Sequence, residues 1–123
     1  MTASNNRSKT GQKGEDEAVR FLSAKGYEIL DRNFHKREGE IDIIAMDGET
    51  LVFVEVKAGR QLSFGDPETW VDLKKQQKIS LAAELYLQDH DVHDVDCRFD
   101  VVAVIFYNTG QHIKHIENAF WLE

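Results

Sequence analysis

The 123-residue sequence contains one cysteine, Cys97. A lone thiol excludes an internal disulfide framework and fits a reducing compartment. No His/Asn pattern surrounds Cys97 to activate it, so it reads as a small core hydrophobe rather than a nucleophile. Apolar runs long enough to cross a bilayer are missing, and so is an apolar signal region at the N-terminus. A cytoplasmic protein without a membrane role is expected. Positive charge is in deficit: 15 Lys and Arg against 22 Asp and Glu give a formal net charge of −7. Such a chain does not coat nucleic acid by bulk attraction, although a local basic patch stays open. Internal repeats and low-complexity tracts are lacking too.

Charged residues at 30% and apolar residues at 41% describe a chain able to bury one core without disulfides or metal. Residues 1–10 are polar and patternless, which predicts a flexible arm ahead of a single domain at 11–123. Helical spacing of Ala18, Val19 and Leu22 predicts a first helix that stops at Gly26, with Glu15 at the edge of the stripe. The segment "YEILDRNF" reads as a strand, and "EIDIIAMDGETLVFVEVK" as two more around an Asp47-Gly48 hairpin signal. From Ala58 to Trp70 turn formers predict a loop, with Asp66-Pro67 capping a short helical turn. Asp72 then caps a helix over Leu73–Gln88 that buries Ile79, Ala82, Ala83 and Tyr86. An acidic loop, the apolar strand "RFDVVAVIFY" and a last strand "QHIKHI" complete the order αβββαββ, an α/β class with a central mixed sheet flanked by helices.

The strand "LVFVEVK" poses a chemical problem. Leu51, Phe53, Glu55 and Lys57 share one face, so a carboxylate and an ammonium follow two residues headed for the interior. Either even-length reading of the preceding turn places Asp42 on that same face; a four-residue loop puts it directly opposite Glu55. Two adjacent carboxylates repel, and a divalent cation resolves the conflict. Carboxylate and water oxygens suit Mg²⁺ or Mn²⁺, which leaves positions for phosphate oxygens, while Lys57 can orient an attacking water. The competing reading is a solvated Glu55–Lys57 ion pair with Asp42 at a sheet end. Residue spacing alone leaves both open.

Other features have plainer readings. The "HDVHD" run at 90–94 reads as a solvated loop, and Asp100 as a structural partner of Arg98. Trp70 and Phe64 read as loop anchors, and the tail "ENAFWLE" as a segment docked on the core or on a partner. Lys74, Lys75 and Lys78 fall in the first two turns of the second helix. Beside a phosphodiester site they, with Arg60, would neutralise backbone phosphates and give salt-dependent binding.

Asp42 followed by Glu55-Val56-Lys57 resembles the PD-(D/E)XK signature of restriction endonuclease-like nucleases. The wider string "GEDEA…GEIDIIA.D…LVFVEVK…FGDPE…RFDVV…HIENAF" resembles the YraN-type family of bacterial proteins, itself similar to archaeal Holliday junction resolvases. The resemblance implies a restriction endonuclease-like fold. It makes Asp42 and Glu55 metal ligands, Lys57 the catalytic lysine and Glu15 the helix glutamate. It further implies Mg²⁺-dependent hydrolysis of DNA, extended by fold analogy to branched or single-strand-containing DNA. Ala58-Gly59 stands where many such sequences carry a polar-basic pair. Two rival classes remain in view: a nucleic-acid-binding module without turnover, and a small interaction domain using its apolar tail. A homodimer or another protein partner stays open.

Overall fold

The computed structural model describes residues 9–60, 65 and 70–120. Helix α1 spans Lys9–Ala24 and buries Gly14, Glu15, Ala18 and Leu22 on one stripe. It begins two residues before the expected boundary; residues 1–8 of the expected arm lie outside the described residues. Gly26 ends it at φ +96°, a left-handed conformation that carries no penalty without a side chain.

Five strands follow in the expected places: β1 Glu28–Lys36, β2 Gly39–Asp47, β3 Thr50–Arg60, β4 Asp96–Tyr107 and β5 Gly110–Ile116. They lie side by side in sequence order, antiparallel except for the parallel β3–β4 pair. A parallel joint needs a crossover, and helix α2, Leu73–Asp89, supplies it. Asp72 caps α2 by accepting from the Lys75 amide at 2.8 Å, and the helix buries Ile79, Ala82, Ala83 and Tyr86 as its periodicity predicts.

The helices cover opposite faces of the sheet. One cluster joins α2 to Ile44, Leu51, Phe53, Val101 and Ala103; the other joins α1 to Ile43, Ala45, Val52, Val54, Val102 and Val104. The period-2 alternation of β3 therefore assigns Glu55 and Lys57 to the α2 side.

Three expectations are corrected. Strand β3 does not end at Lys57 but runs through Ala58 and Gly59 to Arg60, because β4 offers a ladder partner for every residue up to Phe106. The expected loop is shorter by those residues, and Asp66, Pro67 and Phe64 lie outside the described residues. Cys97 is exposed rather than in the core, since it precedes the buried stretch of β4.

Two tight contacts place the site-bearing elements. A Cβ built on Gly14 would stand 2.3 Å from Ala58 Cβ, so α1 lies directly on β3 one residue before Glu15. The small Ala58 is required by that approach, which accounts for the missing polar side chain there. A Cβ on Gly39 would stand 2.4 Å from the Lys78 carbonyl oxygen, which fixes the β1–β2 turn against α2.

Asp100 is fully buried on the α1 face. It accepts from Arg98 Nε at 2.9 Å and Nη2 at 3.1 Å, from the Asn118 amide at 3.0 Å, and meets His115 Nε2 at 2.7 Å. Burial alone would raise its carboxyl, but these hydrogen bonds outweigh it and hold the group below its ordinary range. The role is structural, as the Arg98 pairing predicts. Behind it the chain end docks: Phe120 stacks on Phe99 at 5.1 Å, and the Ala119 amide donates to the Phe99 carbonyl at 2.7 Å. Trp121 and Leu122 lie outside the described residues.

Replacing Gly14 with Ala should overpack the α1–β3 contact and cost about 1–3 kcal/mol in urea unfolding. The double variant Gly14→Ala/Ala58→Gly should recover most of that loss. Additive destabilisation in the double-mutant cycle would show that the two positions do not press on each other.

Candidate active site

The site forms where β2 leaves β3. Pairing between them runs from Asp47↔Thr50 to Ile43↔Val54 around the Gly48-Glu49 turn, and goes no further. The register is that of the four-residue hairpin reading, with Met46 opposite Leu51. Beyond Ile43, β2 stays with β1 as far as Gly39↔Lys36, while β3 stays with β4. Asp42 is the first residue past the parting. Its Oδ2 accepts from the Val56 amide at 2.8 Å, taking the place of a ladder carbonyl.

The sheet face also changes there. Ile43 belongs to the α1-side cluster, yet Ile41 belongs to the α2-side cluster. On β1, Asn33 adopts φ +54° at the unpaired step between Arg32↔Ile43 and Phe34↔Ile41. The twist leaves Asp42 between the two faces, within electrostatic reach of Glu55 from one and Glu15 from the other.

Glu15 points inward and is 1% exposed. Its Oε1 accepts from Arg32 Nε at 3.0 Å, Arg32 Nη2 at 2.9 Å and Asn33 Nδ2 at 3.0 Å. The same Arg32 Nη2 also donates to Asp16 Oδ1 at 2.6 Å. Glu15 therefore approaches the cluster as a charge held by its own counterion.

Glu55 is directed to the α2 side, and Lys75 Nζ lies 2.8 Å from its Oε2. Burial lowers the Lys75 ammonium, but the Glu55 carboxylate, with Asp42 and Glu40 behind it, outweighs burial and leaves it raised. Lys57 lines the same cavity of about 490 Å³ as Glu55, Lys75 and Trp70, and among the described residues it has no ion-pair partner. A contiguous cavity of about 200 Å³ reaches Asp42 and Glu40. Trp70 anchors the connection as expected, its indole donating to the Gly65 carbonyl at 3.0 Å.

Asp42 is itself perturbed by this setting. Burial, then the Glu55 charge, then Glu15 raise its carboxyl well above the ordinary range, and the Val56 amide opposes them only in part. Among the described residues no three His, Cys, Asp or Glu side chains form a closed metal centre. Asp42 and Glu55 offer two carboxylates on an open cavity, a donor set that fits an ion retaining several waters.

The expected pair Asp42/Glu55 is thus brought together, with Lys57 on the cavity wall and Glu15 behind. Lys75 is moved from the phosphate-contacting patch into the site itself. Its spacing could have shown this: it lies four residues before Ile79, on the buried stripe of α2 continued by one turn. Lys74 and Lys78 are exposed on the same helix, and Arg60 is exposed at the end of β3. Arg32 and Asn33 carry no local signal of their role, which depends on α1 packing across β1. The "HDVHD" residues are elsewhere: His90 stacks on Tyr86 at 4.0 Å, and the exposed His93 and Asp91 meet at 2.7 Å.

A raised carboxyl favours the folded state below the ordinary carboxylate pKa, and that stabilisation is lost as pH rises through the raised value. Asp42→Asn should therefore make the metal-free protein more stable than the parent at neutral pH. The gain should shrink toward acid pH, as followed by thermal unfolding across pH. Equal stability of variant and parent at all pH values would show that Asp42 is not strained.

A family model described as the uncharacterised protein family UPF0102 matches residues 14–104, a span that includes Glu15, Asp42, Glu55, Lys57 and Lys75. A UPF0102 protein of Pelobacter propionicus is 47% identical over 124 residues, covering 98% of this chain and 89% of that protein. One from Desulforapulum autotrophicum is 47% identical over 116 residues, with 94% and 96% covered. The relative from Geobacter sulfurreducens is 48% identical over 113 residues, with 91% and 88% covered. With this identity running nearly end to end, the chain belongs to the UPF0102 family.

Proposed function

We propose that the protein is a metal-dependent nuclease that hydrolyses DNA phosphodiesters, with Mg²⁺ or Mn²⁺ held by Asp42 and Glu55. The observation that carries this reading is the convergence of two carboxylates at the β2–β3 fork, one of them buried and forced well above its ordinary range. A structural ion pair would be compensated, as Asp100 is by Arg98 and His115. Among the described residues Asp42 accepts a hydrogen bond from one backbone amide and feels the Lys75 ammonium only at a distance, which suits a group awaiting a cation.

The bound ion would polarise the phosphoryl oxygen and make its water more acidic. Asp42 and Glu55 fix where it sits. Lys57, on the wall beside Glu55, orients the attacking water or balances charge on the phosphate. Glu15, held by Arg32 and Asn33, adds negative field behind Asp42 and keeps the fork electrostatically hungry for a cation. Lys75 pairs with Glu55 and, with an ion held there, would be free to meet a phosphate. Lys74, Lys78 and Arg60 hold flanking phosphates. Branched or single-strand-containing DNA is the proposed substrate class.

A titration of Mg²⁺ against labelled single-stranded, duplex, forked and four-way DNA tests the reading. Cleavage should appear with Mg²⁺ or Mn²⁺ and fall at least about a hundredfold in Asp42→Asn, Glu55→Gln and Lys57→Gln. Binding without cleavage in every metal would assign a binding module. No binding at low salt, with Ca²⁺ in place of Mg²⁺, would favour the interaction domain.

Lys75 and its neighbours should separate. Lys74→Gln/Lys78→Gln should flatten the slope of log affinity against log salt by about 1.8 on duplex DNA, two phosphate contacts at about 0.9 each. Lys75→Gln should lower the Mg²⁺ concentration for half-maximal binding of the ion, because its ammonium competes for Glu55. An unchanged Mg²⁺ midpoint would show that Lys75 does not occupy the ion's place.

A further inference from the structure

We infer that a second cavity, at the α1 end of β3 and β4, is a subsite for an unpaired nucleic-acid strand running on from the carboxylate cleft. This inference rests on the proposed phosphodiester chemistry. The cavity encloses about 530 Å³ and is lined by Lys9, Lys13, Arg60, Phe106, Tyr107 and Asn108, with Thr10, Gly110 and Gln111 completing the wall. Among the described residues three cations and no carboxylate line it, in a chain whose net charge is −7. On the cavity wall the Gln111 amide donates to the Glu17 carboxylate at 2.6 Å.

The cavity joins the cleft through the chain itself. Gly11 lines the cleft, while its neighbours Lys9 and Thr10 line the cavity. Lys57 and Ala58 line the cleft, and Arg60 lines the cavity. Three strand residues span about 10 Å, a distance that successive nucleotides of one strand cover. By the alternation of β3, Lys57 faces α2 and Arg60 faces α1. A ligand touching both must pass over the end of the sheet from one face to the other. A flexible single strand can make that turn; a stiff duplex does not bend over so short a distance.

The remaining wall suits bases. Tyr107 is 40% exposed and presents a ring at the mouth. The Lys13 ammonium already lies 5.1 Å from the centroid of Phe106, so cation and aromatic surface stand together. Asn108 and Thr10 supply neutral polar groups that can meet base edges. Bases of an intact duplex are stacked away from such a wall, whereas an unpaired base can lie on it.

Fluorescence anisotropy with a labelled 20-nucleotide strand and its duplex, with Ca²⁺ replacing Mg²⁺, tests the subsite. Lys9→Gln/Lys13→Gln should flatten the single-strand salt slope by about 1.4, two contacts at about 0.7 each. Between about 0.05 and 0.2 M salt that variant should lose roughly sevenfold less affinity than the parent does. Tyr107→Leu should weaken single-strand binding by about tenfold and leave duplex binding unchanged. Asn108→Lys adds a cation at the mouth and should steepen the slope. Unchanged slopes in both charge variants, with DNA binding intact in the parent, would overturn the subsite while leaving the cleft's chemistry standing. Equal losses for strand and duplex would overturn its preference for unpaired DNA. A parent that neither binds nor cleaves DNA removes the reading of the cleft, and the subsite with it.

Discussion

The Val56 amide loses its strand partner where β2 departs, and the Asp42 carboxylate replaces it at 2.8 Å. The rest of the site follows from that one hydrogen bond. It closes the orphaned end of the β2–β3 ladder, so the sheet can fork without leaving a buried donor unpaired. In doing so it draws a carboxylate into the gap between the sheet's two faces. The β1–β2 pair, fixed against α2 through Gly39 and Lys78, then forms one wall, and β3, pressed by α1 through Gly14 and Ala58, forms the other.

The molecule treats its buried carboxylates in two ways. Asp100 and Glu15 are each met by an arginine and further hydrogen bonds. Those groups hold neighbouring elements in register: Asp100 ties β4 to β5 and the chain end, and Glu15 ties α1 to β1. At the fork Asp42 accepts from one backbone amide, and the Lys75 ammonium that meets Glu55 at 2.8 Å is half exposed. Full compensation is therefore available in this fold and is withheld at the fork. The cost of that arrangement in stability is the kind that a binding or catalytic group incurs.

Much of this was legible because it depended on short-range periodicity. The "MDGETL" turn fixed the register that carries Asp42 to the end of the ladder beside Glu55, and the stripe Ile79, Ala82, Ala83, Tyr86 located α2 and its buried face. Turn residues misled at Ala58-Gly59, where a parallel partner strand overrode local preference and carried β3 on to Arg60. Cys97 was misplaced because apolar character was read without asking where on β4 burial begins. The partners of Glu15 were illegible, since Arg32 and Asn33 reach it only through a left-handed residue in β1 and the packing of α1 across it. The face change between Ile41 and Ile43 has the same origin. Alternation predicts sides only while a strand stays paired.

Net charge and local charge act at different ranges, and the difference bears on how an acidic protein could hold a polyanion. Exposed charges separated by more than about 8–10 Å are largely screened at physiological salt. Most of the 22 acidic side chains thus contribute a weak, diffuse repulsion, while cations within a few ångströms of a phosphate act nearly unscreened. Under the proposed chemistry this favours strands that can enter the concave sites beside the fork and disfavours those that stay outside them. A broad basic face would bind any duplex along its length. Small cationic cavities in an acidic surface bind only what can reach in, so the protein's overall acidity becomes a contributor to selectivity rather than an obstacle to binding.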